Sequence, residues 1–120
     1  NQTWWDSLDL VASHSVGHFA TKFPTEFKVL AQEWEDSEHF WLHRTLLIHQ
    51  LKYKQKTNLD LLQYYIRTFK SNKEFFIQKA IGWSLREVSK WNPIWVQNVV
   101  LEENLQGLAK REALKYVPEA

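Results

Sequence analysis

The chain has no cysteine. That excludes disulfides, thiolate nucleophiles and cysteine-ligated zinc, and it fits a reducing, cytoplasmic setting. Glycine and proline number only three each in 120 residues. So few turn formers argue against a hairpin-rich β fold and favour long helices. No apolar run approaches the length of a bilayer span, and no membrane partner is expected. There is no glycine-rich phosphate loop, which argues against a nucleotide cofactor; no cofactor is expected at all. What is present is a composition 44% hydrophobic and 24% charged, as in a soluble globular domain. Aromatic residues are abundant at 15%, with seven tryptophans and seven phenylalanines.

The net charge of +1 hides an asymmetry. Residues 1–50 carry three Lys/Arg against seven Asp/Glu, net −4, and residues 51–120 carry twelve against seven, net +5. A basic second half points to a polyanionic partner, although ordinary solvated helix faces produce the same count.

The apolar spacing is helical nearly throughout. It predicts seven helices, over about 4–19, 24–36, 38–53, 58–70, 73–91, 93–103 and 109–117. Pro24 suits the first turn of the second helix. Ser37 and Asn58 are placed to cap the third and fourth, Ser71 or Asn72 the fifth, and Asn92–Pro93 opens the sixth. Short connections make neighbours antiparallel pairs. EHFWLHRT (38–45) also aligns with KEFFIQKA (73–80) at an offset of 35 residues. Phe40 falls on Phe75, Trp41 on Phe76, Leu42 on Ile77 and Arg44 on Lys79. One step further back puts Trp5 under Phe40 and Asp9 under Arg44. The odd-numbered helices therefore read as copies of one unit. Stacked helical pairs of this length form an all-α solenoid with a right-handed superhelical course; an unrelated bundle is the alternative. In the solenoid Asp9, Arg44 and Lys79 line one face.

Trp5 and Asp9 are four residues apart and share a helical face, as do Lys79, Trp83 and Arg86. Each alone has an ordinary reading: Trp5 as core, Asp9 as a capping or solvated acid, Arg44 as half of an ion pair. Together they join indole rings, one carboxylate and several cations. Phosphates call for Arg and Lys, cationic ligands for aromatic faces, and a carboxylate stabilises developing positive charge. An alkylated purine nucleotide in DNA answers all three. Its base is cationic, its backbone anionic, and its glycosidic bond breaks through an oxocarbenium-like state.

The segments WWDSLD (4–9), FWLHRT (40–45), LKYKQKT (51–57), KEFFIQKAIGWSLRE (73–87), SKWNP (89–93) and LAKREALKYV (108–117) resemble the AlkD-type DNA alkylation-repair glycosylases, proteins of HEAT-like helical repeats. The resemblance covers essentially the whole chain. It implies Asp9 as the catalytic aspartate, with Trp5, Trp83 and Arg44 as active-site partners. It implies Arg86 as a phosphate contact and Phe75 and Phe76 as the family's double aromatic. Lys79, Lys110 and Arg111 are expected to join the DNA-binding set. Family chains extend well N-terminal of Asn1, so residues 1–120 are expected to form one HEAT-like domain that is the C-terminal part of a longer one. The first helix, with Leu8, Val11, Ala12 and Phe19, is then expected to show apolar surface and to favour self-association. The implied activity is hydrolysis of cationic alkylpurines, 3-methyladenine and 7-methylguanine, from double-stranded DNA in a bacterial cytoplasm. A non-catalytic HEAT-like module that binds DNA or protein is the alternative.

His14 and His18, and again His39 and His43, lie four apart. Neither pair has the further ligands of a closed zinc site, and surface histidines without metal are expected. Trp34, Trp91 and Trp95 are expected as core between helical layers.

Overall fold

The computed structural model of the chain describes residues 12–117. A π-helical turn at Ala12–Val16 runs into α1 (Gly17–Lys22). Then follow α2 (Pro24–Asp36), α3 (Phe40–Ile48), α4 (Leu59–Phe69), α5 (Phe75–Ser89), α6 (Pro93–Glu102) and α7 (Gly107–Ala113). A short 3-10 turn at Lys54–Lys56 interrupts the link from α3 to α4. Among the described residues there is no strand, and the fold is the all-helical solenoid expected.

The helix starts follow local chemistry. Pro24 opens α2 and Pro93 opens α6, where a missing N–H costs nothing. The Asn58 side chain accepts from the Leu61 N–H at 3.1 Å, and that of Asn92 from the Trp95 N–H at 3.2 Å. Two expected caps move. The cap of α3 is His39 rather than Ser37: its Nδ1 accepts from the Trp41 N–H at 3.2 Å, while Ser37 Oγ accepts from the His39 N–H. Likewise Glu74 precedes α5, and Asn72 Oδ1 takes the Glu74 N–H at 2.9 Å one step earlier.

The third helix also ends at Ile48, five residues short of the expected boundary. The Gln50 side chain explains this. Its Oε1 accepts from the Asn58 N–H at 2.8 Å and its Nε2 donates to the Asn58 carbonyl at 3.3 Å. These bonds fold residues 49–58 back on themselves. Lys54 sits in the left-handed region, with φ 54°.

Alternate helices lie side by side. The first turn abuts α3, α3 abuts α5, and α5 abuts α7, with Cα atoms within 8 Å. At Gly82 a Cβ would stand 2.5 Å from Glu112 Cβ and 3.1 Å from the Ala109 carbonyl oxygen, so α5 and α7 meet only because Gly82 has no side chain. Gly17 does the same where α1 crosses the end of α3, its virtual Cβ lying 2.5 Å from the His49 carbonyl oxygen. The other layer, α2, α4 and α6, packs on the outside of these four. Between the layers lies a core of fully buried Leu46, Leu47, Ile48, Ile66, Ile81 and Val99, among others. Trp34, Trp91 and Trp95 pack against that core as expected. Phe19 is also half-buried, its ring 5.4 Å from Phe23 and 6.4 Å from Phe27, so it is not part of an open apolar face. Leu8 and Val11 lie outside the described residues.

Candidate active site

The repeat offset survives folding: α3 begins at Phe40 and α5 at Phe75. Side by side, the two helices bring Arg44 of one against the first three turns of the other. Arg44 is 5% exposed. One guanidinium nitrogen donates to the Phe76 carbonyl. The Cζ atom lies 5.7 Å from the Trp41 ring, 6.0 Å from Phe76 and 5.9 Å from Trp83. These are attractive cation–π distances. A guanidinium suits the position because one group can donate to a carbonyl and also pack against rings, which an ammonium matches poorly.

The aromatic wall continues around it. Phe40 stacks with Phe76 at 6.1 Å, and Trp41 meets Phe76 edge-on at 6.0 Å. Phe75 stands T-shaped to Phe76 at 5.2 Å and is half exposed. The Lys79 ammonium lies 5.7 Å from the Phe75 ring. Further along α5 the direction changes. Arg86 turns toward α7, pairing with Glu112 at 3.1 Å and lying 5.9 Å from the Tyr116 ring. Lys110 and Arg111 are exposed on α7. The expected stripe of Lys79, Trp83 and Arg86 is thus shared out, Trp83 to α3 and Arg86 to α7. Trp5 and Asp9 lie outside the described residues.

Comparison with known proteins decides the family. The model of the family described as DNA alkylation repair enzyme matches residues 1–117. The chain belongs to the DNA alkylation repair enzyme family. It is also similar to a solved structure, that of a predicted DNA alkylation repair enzyme from Enterococcus faecalis, with 43% identity and a TM-score of 0.85. The match covers 98% of this chain and 55% of that one, so the chain spans about half the length of its structural relative. No significant match is found among curated proteins.

Among the described residues no cluster of His, Asp and Glu is placed to hold a metal ion, and no helix is long and apolar enough to cross a membrane. His14 and His18 are exposed, and His39 caps α3. His43 departs from the expected surface setting. Its ring stacks on Phe69 at 4.3 Å, and both ring nitrogens are buried. Two residues that contact the expected set, Trp41 beside Arg44 and Tyr116 beside Arg86, were not among the sequence candidates. The Trp41–Arg44 spacing of three residues places them on one helical face and was the available signal; Tyr116 lies in the turns after α7 and carried none.

Proposed function

We propose that this DNA repair family member hydrolyses the N-glycosidic bond of cationic alkylated purines, 3-methyladenine and 7-methylguanine, in double-stranded DNA. The observation that carries the reading is the meeting of Arg44 and Trp83, from two successive repeats, at 5.9 Å. Beside that pair the exposed Lys79 and Phe75 offer a cation and a ring to a ligand with both phosphate and cationic parts. Trp83, with Trp5, packs on the lesion nucleotide and favours its positive charge. Asp9 stabilises the oxocarbenium character at the anomeric carbon and orients water there. The carbon–nitrogen bond breaks, the base leaves neutral with the bonding electron pair, and water adds to the sugar and loses its proton. Because the base is already cationic, no acid has to protonate it. Arg86, with Lys79, Lys110, Arg111 and the Phe75–Phe76 pair, holds and orients the duplex, while Arg44, buried among the rings, holds Trp83 in place.

Incubation with N-methylated duplex DNA, followed by chromatography of released bases, tests the reading. Release of 3-methyladenine and 7-methylguanine is expected. Binding of the duplex with no base released would make the chain a non-catalytic DNA-binding module instead.

A further inference from the structure

A second cavity lies away from Arg44, on the side where α2 and α4 flank the end of α3. Its volume is about 490 Å³, within the range of sites that hold small molecules. Phe27, Tyr53, Tyr64 and Tyr65 line it, with Ala31 among them. His49 also lines it and is only 2% exposed. Its Nδ1 lies 2.7 Å from the Leu46 carbonyl oxygen and must donate to it. That fixes the neutral tautomer and leaves Nε2 as an acceptor. Among the described residues none donates to Nε2. At the rim stands the Glu35 carboxylate, which accepts from the Tyr64 hydroxyl at 2.6 Å. Lys28 and Gln32 complete that rim.

Four aromatic rings favour a flat apolar ligand. An acceptor without a protein donor favours a ligand N–H that can bond it. The carboxylate at the mouth favours a cation. We propose that this cavity binds an aromatic amine: a one- or two-ring heterocycle whose ring N–H donates to His49 Nε2 and whose ammonium lies by Glu35. None of these residues belongs to the Arg44 site, so the proposal stands independently of the glycosylase reading. Such a ligand ties α2 to α4 across two repeats.

Tryptamine is the probe. Titration into the protein, followed by amide chemical shifts and by melting temperature, is expected to show a dissociation constant on the order of 1 mM. At ten times that concentration the melting temperature rises by about 5 °C. Shifts should centre on residues around Phe27, His49 and Tyr65. Ala31→Leu fills the space and His49→Phe keeps a ring without the acceptor; each is expected to weaken binding at least tenfold. Glu35→Gln should weaken tryptamine but leave indole unchanged, which holds even where His49→Phe folds poorly. Equal binding of cyclohexylethylamine or indole-3-propionate, shifts confined to Arg44 and Trp83, unchanged affinity in Ala31→Leu, or no binding at 10 mM would each overturn the proposal.

Discussion

The two layers of the solenoid are held by different physics. In the layer of α1, α3, α5 and α7, backbones touch, and the contacts depend on what is missing: a side chain at Gly17 and at Gly82. In the layer of α2, α4 and α6, neighbouring helices stand farther apart and long polar side chains cross the gap. Tyr64 reaches Glu35 at 2.6 Å. Gln63, Arg67 and Lys70, from α4 and its C-terminal cap, converge on Glu103 just beyond α6, at 2.9, 2.7 and 3.2 Å. Close spacing on one side and wide spacing on the other bends a stack toward the close side. Arg44 and Trp83, which the proposed function sets beside the lesion, belong to the close-packed layer. Rigid backbone contact holds a geometry, whereas flexible side chains tolerate adjustment.

The contrast is broken most directly by a wedge. Gly82→Ala places a methyl group into Glu112 and Ala109, and overpacking of this kind costs about 1–3 kcal/mol. Chemical denaturation should show it, with α7 released first in hydrogen exchange. A destabilisation under about 0.5 kcal/mol would mean that α5 and α7 are not locked together.

Acid acts on both layers, in separate windows. Burial pushes His49 down from 6.5 to about 4, against a smaller opposing effect of its bond to Leu46. The unfolded chain therefore binds the extra proton first, and stability falls as pH drops from about 6.5 to about 4. The decline is on the order of 3 kcal/mol. Glu103 is held down from 4.5 to about 2, chiefly by the Arg67 hydrogen bond and further by Gln63 and Lys70. Its stabilisation is present above its ordinary value and disappears as pH falls toward 2. Urea unfolding between pH 7 and pH 3 should show the first decline, and His49→Phe should flatten it. An unchanged slope in that variant would assign the acid sensitivity elsewhere.

Glu103→Ala removes the acceptor shared by three side chains and should cost on the order of 2 kcal/mol. Arg67→Ala should cost clearly less, because Arg67 is mostly exposed and exposed pairs are weak. Equal costs would show that the outer layer depends on each cross-link individually. The smallest effect is expected from Lys110→Gln with Arg111→Gln. Folding should be unchanged, and the salt dependence of duplex binding should fall by about 0.9 for each phosphate left without its cation.

Much of this arrangement was legible in the sequence. Pro24, Asn58 and Asn92 mark helix starts because their signals are local, carried by a fixed φ or a side chain that bonds its own backbone. The 35-residue offset marks the pairing of α3 with α5 because repeats preserve register. The early end of α3 was not legible. It depends on Gln50 meeting the backbone of Asn58 and on His49 lying under Gly17, contacts that local helix propensity does not contain. The Glu103 network was hidden for the same reason, since its partners lie 33 to 40 residues away. At the site, the charge and aromatic content of α3 and α5 could be read directly. The turning of Arg86 toward Glu112 could not, because Glu112 belongs to the next repeat.

The central claim is that the Asp9 carboxylate carries the chemistry and the outer layer takes no part in it. Single-turnover release of 7-methylguanine from duplex DNA, compared across the unaltered protein, Asp9→Asn and Arg67→Ala, tests it most directly. Removing the carboxylate should slow release by about 10²–10³, while duplex affinity holds or rises. Arg67→Ala, in the outer layer, should leave the rate within about twofold, as expected of a surface change remote from the reacting atoms. An undiminished rate in Asp9→Asn, or an equal slowing in Arg67→Ala, would contradict the account.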